Sequence, residues 1–170
     1  MDKTFEAWAK LQYEDFKRKQ NQYFKHLKNK KDFDLIILKG HLIVEERINE
    51  VLEKKLKPNL WGKVKKDPVK FSFPIKLVLL QIVVNFDNTF DHFFEAVEKL
   101  NSLRNKMAHN IEYPELEERT KQVLNLMYNA ILNKKFRKNS LLHQFKQAIF
   151  LIAEIIGSSG TSFPWNSIKR

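Results

Sequence analysis

Apolar residues recur along this chain at the three- and four-residue steps of helices, and no segment alternates with the two-residue period of a strand. Residues 3 to 28 hold neither Gly nor Pro and set Phe5, Trp8, Leu11, Phe16, Tyr23, Phe24 and Leu27 among charges, which predicts a first helix. A connection over Asn29 to Asp32 leads to a second, from Phe33 to Lys57, stopped by Pro58. Pro58 to Phe73, with Trp61, Gly62, Pro68 and four lysines, reads as a basic loop. Ser72 can cap a third helix with Pro74 in its first turn. That helix is apolar all round, from Ile75 to Val84, so the pattern makes it the buried one. Asp87-Asn88 turn the chain into a fourth helix, Thr89 to His109, with Asn110 as its C-terminal stop. A fifth helix runs from Pro114 to Asn133, and Ser140 caps a sixth that ends at Ile156. The expectation is all-α: an up-and-down helical bundle of five to six helices, one domain over residues 1–156, with 157–170 a flexible tail.

Composition agrees with this picture and narrows the partners. The chain has 170 residues, 43% of them apolar, with fourteen Phe against four Gly and five Pro, which favours long packed elements over a turn-rich β fold. A domain of this size removes roughly 70% of its unfolded surface from water. There are no cysteines, so disulfides, thiolate zinc sites and cysteine nucleophiles are excluded, in keeping with a reducing compartment. The longest apolar run, Ile75 to Phe86, is too short to span a bilayer, and MDKTFEAWAK lacks the apolar stretch of a signal peptide. A cytoplasmic protein without a membrane partner is expected. Lys and Arg total 31 against 20 acids, giving +11 and favouring a polyanionic partner through counterion release.

Two helices carry polar groups where apolar ones belong. On the second, Leu35, Leu38, Leu42, Glu45, Asn49, Leu52 and Leu56 form one stripe broken by a carboxylate and an amide. A second apolar face (Ile37, Val44, Ile48, Val51) makes the helix central and Glu45 at least partly buried, in need of a cation or donors. On the fourth, Arg104 interrupts the stripe of Phe93, Val97, Leu100 and Met107, so Arg104 and Glu45 are expected to meet, with Asn49 nearby. His109, five residues on, diverges from Arg104 by about 140° on a straight helix. The two can address one ligand only if the helix ends near His109 or if two chains pool their residues. Asn105 shares the face of His109 and can orient its ring.

The segment LNSLRNKMAHN, residues 100–110, resembles the signature of the HEPN superfamily of helical domains: an Arg, a polar residue, and a His four to six positions later. GHLIVEERINEVLEKKL, residues 40–56, resembles that family's second-helix pattern, with Glu45 and Asn49 as its acid and amide four apart. FPIKLVLLQIVV is similar to the helix that joins these segments in single-chain members, and the mannitol operon repressor family is similar here too. The match covers about residues 35–130. It implies a HEPN-like bundle, usually dimerised with the Arg–His segments of two chains facing each other. It also implies one of two functions. The first is a metal-independent endoribonuclease, as in toxins of toxin–antitoxin and antiviral defence systems, with an antitoxin protein as a further partner. The second is a non-catalytic dimeric module that binds nucleic acid or protein, as in a transcriptional regulator. Where some toxins of the family continue as His-x-Tyr, this chain has His109-Asn110-Ile111 with Tyr113 beyond, which speaks against control by tyrosine modification.

For the nuclease reading, His109 moves protons, since histidine is the side chain whose ordinary charge change falls near neutral pH. Arg104 grips the scissile phosphate, Asn105 orients His109 or donates to a phosphate oxygen, and Glu45, with Asn49, holds Arg104 in place. No cofactor is implied. The non-specific grip on RNA falls to Lys63, Lys65, Lys66 and Lys70, to Lys134, Lys135, Arg137 and Lys138, and to the cluster Lys28, Lys30 and Lys31. Trp61 and Phe136 stand among these lysines, where they pack or stack on bases. The five histidines are scattered with no ligand spacing, so no metal site is expected, and His41 reads as a satisfied core histidine.

Overall fold

A computed structural model of the chain describes residues 14–15, 17–25, 27, 33–86, 90–109, 114–130 and 139–159. Among these there are seven helices and no strand. Residues 14–15 and 17–25 form α1, followed by α2 (Phe33–Lys55), α3 (Pro58–Lys66), α4 (Phe73–Val84), α5 (Asp91–His109), α6 (Leu116–Ala130) and α7 (Leu141–Ser159). The expected bundle is present, with one helix more than the sequence pattern predicts.

The centre is α2, as its two apolar faces require. It packs against α7, α4 and α5 and touches α3, while α6 is laid on α5 and α7. Its buried residues are Ile36, Ile37, Gly40, His41, Val44, Ile48, Val51 and Leu52. The stripe from Leu35 to Leu56 is only partly covered: Leu52 is buried, Glu45 is partly buried, and Leu42 is 59% exposed. Crossing of α2 and α7 is close at Gly40, where a Cβ would stand 2.2 Å from Ile149 Cδ1 and 2.9 Å from its Cγ1. Helix α1 is held to this pair by the edge contact of Tyr23 with Phe150 and by Gln20 donating to Gln147 at 2.8 Å. Arg47 of α2 donates to Tyr23 Oη and pairs with Glu50, and Glu154 of α7 lies 3.9 Å away.

Two expectations fail. Pro58 to Phe73 is not a loop, because Pro58 fits the first turn of a new helix, where its missing N–H costs nothing. Leu60, Trp61 and Val64 then fall at helical spacing, and Trp61 and Val64 are buried. The turn Pro68–Phe71 follows, closed by Lys70 N–H on Asp67 Oδ1 at 2.9 Å. Nor is α4 the buried helix. Only Phe73, Leu77 and Leu80 are buried, while Ile75, Val78 and Ile82 are exposed. An all-apolar helix buries only the face its neighbours reach, and the main neighbour of α4 is α2 alone. The interior position belongs to α7, with nine buried residues between Phe145 and Ile156.

Helix ends follow the expected chemistry with small shifts. Ser140 Oγ accepts from His143 N–H at 3.4 Å, the N-cap bond for α7, which continues three residues past Ile156. Asn85 closes α4 in the left-handed region (φ 53°), its N–H on Gln81 O. The predicted turn at Asp87-Asn88 and stop at Asn110 lie outside the described residues, as does the tail beyond Ser159.

The α2–α7 crossing yields a test. Gly40→Leu forces a branched side chain into Ile149 and should lower the unfolding free energy by about 3 kcal/mol, the upper part of the overpacking range. Urea titration followed by circular dichroism measures it.

Candidate functional site

The polar residues singled out on α2 and α5 do come together, but with different partners. Glu45 is partly buried, as expected, at 28% side-chain exposure. Its partner is Lys76 of α4, 2.8 Å away and only 12% exposed. No ion pair joins Glu45 to Arg104. The physical reason lies in α4: a lysine drawn into an otherwise apolar helix needs a carboxylate more than the half-exposed Arg104 does. Asn49 is half-buried, its Oδ1 without a hydrogen bond, so it does not support Arg104.

His41 is the node between the three helices. It is 3% exposed, donates from Nε2 to Asn101 Oδ1 of α5 at 3.0 Å, and lies on the ring of Phe73 of α4 with centroids 4.5 Å apart. The satisfied core histidine of the sequence reading is there, except that Nδ1 has no partner. Burial pushes its pKa down, against smaller upward pulls from Asn101 and Glu45. Arg104 and Lys76 add downward pushes, so both cations stand within electrostatic reach of the ring.

Arg104 lies three residues beyond Asn101, on the same side of α5. It is partly exposed, because Leu103 takes the buried place in the stripe after Phe93, Val97 and Leu100. Its guanidinium donates to Asn105 Oδ1 at 3.0 Å and makes no ion pair among the described residues. Asn105 thus holds Arg104 rather than the imidazole. His109 is exposed and is the last residue of α5. Residues 110–113, which decide whether the helix stops there, lie outside the described residues.

The basic groups are distributed away from this point. Lys63, Lys65 and Lys66 of α3 and Lys70 after it are all exposed. Lys65 pairs with Glu53 at 3.0 Å. Glu53 is twelve residues from His41 on α2, which is about 18 Å of helix. The α3 lysines therefore flank the site at a distance rather than line it. Trp61 is 8% exposed with Lys65 over its ring at 5.4 Å, so it packs and is not available to stack on bases. Lys28, Lys30, Lys31, Lys134, Lys135, Phe136, Arg137 and Lys138 lie outside the described residues.

Sequence reasoning missed Lys76 and Asn101. Lys76 had a legible signal, since it is the one charge in the stretch Phe73–Val84 and so needed an acid. Asn101 had none, because an amide on a helix flank is ordinary. Among the described residues no three His, Asp or Glu converge as a metal site, and no helix is long and apolar enough to cross a membrane. A cleft of about 420 Å³ opens between α1 and α2, lined by Tyr23, Leu42, Ile43 and Arg47 among others. It contains neither Arg104 nor His109.

His41 gives a pH test. Its depressed pKa means the unfolded chain takes up the proton first, near pH 6.5, so stability is full above that pH and falls as pH drops toward the folded-state value. The urea midpoint of the wild type should fall between pH 7.5 and 5.5, and His41→Gln should remove most of that pH-dependent loss.

In comparison with known proteins, no family model, curated protein or solved structure matches the chain.

Proposed function

We propose that the protein is a HEPN-like, metal-independent endoribonuclease, as the resemblance of residues 100–110 suggests, acting as a dimer in a toxin–antitoxin or antiviral setting. The observation that carries the reading is Arg104, a half-exposed guanidinium with no carboxylate partner among the described residues, steadied by Asn105 one turn before the exposed His109. An arginine kept only for stability would be paired. This one keeps its charge for an anion, and the planar fork suits a phosphate.

In this mechanism Arg104 binds the scissile phosphate and stabilises the charge that develops on it. His109 takes the proton of the 2′-hydroxyl as that oxygen attacks phosphorus. The 5′-oxygen leaves with a proton returned by an imidazolium, either the same His109 or the equivalent one of a second chain. Products are a 2′,3′-cyclic phosphate and a 5′-hydroxyl. Asn105 fixes the guanidinium and can donate its amide N–H to a phosphate oxygen. Lys63, Lys66 and Lys70 attract the polyanion without reading its sequence.

A second reading is a non-catalytic HEPN-like module that binds nucleic acid or a regulatory protein. What favours it is that no hydrogen bond joins His109 to Arg104 or Asn105 within one chain. One assay separates the two. The wild type should cleave total RNA in EDTA, and His109→Ala and Arg104→Ala should each lower the rate by at least about 100-fold with helical content unchanged. Absence of cleavage by a folded wild type on every RNA offered would leave the binding module. Equal cleavage by wild type and variants would remove the site assigned here.

A further inference from the structure

Among the described residues His41 is the only buried titratable group, and the proposed chemistry makes no use of it. It nevertheless touches the turn of α5 that carries Arg104. His41 Nε2 stands 3.0 Å from Asn101 Oδ1, and Arg104 follows Asn101 by three residues, which places their Cβ atoms about 5–6 Å apart on one side of the helix. Charged groups reach the ring from each element around it: Glu45 from the next turn of α2, Lys76 from α4 and Arg104 from α5. Helix α7 crosses at Gly40 with the apolar Ile149 and adds no charge to the ring. Glu45 and Lys76 are paired with each other at 2.8 Å and so largely cancel as seen from His41. Arg104 donates to the neutral Asn105 and makes no ion pair among the described residues, so its charge is the uncompensated one.

We infer that a proton on His41 and an oxyanion on Arg104 are linked, each strengthening the binding of the other, so that the site holds its anion more tightly as pH falls. The inference rests on the reading of Arg104 as an anion site and adds the regulation of that site. A bare guanidinium opposes a second positive charge on the ring. An anion seated on Arg104 cancels that opposition and attracts an imidazolium besides. Binding linkage is reciprocal: the factor by which the anion raises proton affinity is the factor by which the proton raises anion affinity. The ring lies out of water, where salt screens the exchange only weakly.

The proton goes to Nδ1, the nitrogen without a partner, because Nε2 already carries the hydrogen that bonds Asn101. Burial, with a smaller push from Arg104, holds the pKa of His41 below its ordinary value. With Arg104 unoccupied the ring is therefore neutral at pH 7, and the coupling comes into play as pH drops below the ordinary histidine range.

Sulfate is the probe, a tetrahedral dianion that, unlike phosphate, does not itself titrate near neutral pH. Proton NMR follows the His41 ring through a pH titration, its resonance identified as the one absent from His41→Gln. Replacing chloride by sulfate at constant ionic strength should raise the His41 midpoint by about 0.5 pH, equivalent to about threefold tighter sulfate binding once the ring is protonated. Arg104→Gln, at a partly exposed position, should raise the midpoint in chloride and abolish the response to sulfate. Where acid unfolds the wild type before the ring titrates, the acid midpoint of unfolding carries the same signal. Sulfate should then lower that midpoint more in the wild type than in Arg104→Gln or His41→Gln. A His41 midpoint that Arg104→Gln leaves unmoved breaks the link and leaves the nuclease reading intact. A midpoint that moves in Arg104→Gln but ignores sulfate overturns the linkage and, with it, the anion site at Arg104. Failure to cleave RNA touches neither, since sulfate asks only for binding.

Discussion

The ion pair between Glu45 and Lys76 sets the terms for the rest of the molecule. Neither group belongs where it is by polarity alone: a carboxylate on the central helix, and a lysine 12% exposed within an apolar helix. Each makes the other tolerable, and removing either would strand a partly buried charge. The pair fixes how α4 lies on α2. With Lys76 turned inward, the outer face of α4 carries no charge. With Glu45 already engaged, Arg104 on α5 has no acid to neutralise it among the described residues. One contact thus leaves an uncharged outer face on α4 and, among the described residues, a guanidinium without a carboxylate.

His41 extends that arrangement to the third helix. Its bond to Asn101 and its tilted ring contact with Phe73 make it the buried polar link between α4 and α5, which otherwise meet mainly through α2. A buried imidazole with one orphan nitrogen is a weak point under acid. It is tolerated because the neutral ring packs as an aromatic, and because Lys76 and Arg104 both oppose its protonation.

Much of the scaffold was legible in the sequence because periodicity and caps are local. The range of α2 and the cap at Ser140 both follow from residues within a turn or two of the feature. What was not legible depended on which face meets a neighbour. Leu42 sits in the stripe of α2 that Glu45 and Asn49 interrupt and is 59% exposed, while Ile37, Val44 and Ile48 on the other face are fully buried. Helix α4 reads as a core element and lies at the edge, since uniform hydrophobicity carries no phase. Pro58 reads as a stop and is also a start, as the same fixed φ serves both. The pairing of Glu45 was mistaken for the same reason: spacing shows that a cation is needed, and only the packing of helices decides whether Arg104 or Lys76 supplies it.

Dimerisation of so basic a chain invites the objection that two copies repel. At physiological ionic strength the Debye length is about 8 Å, so exposed lysines on opposite sides of a two-fold contact are largely screened. Repulsion matters where charges are brought within that distance and out of water. The lysines of α3 branch from α2 near Glu53, toward the end remote from His41, and stay exposed for a polyanion.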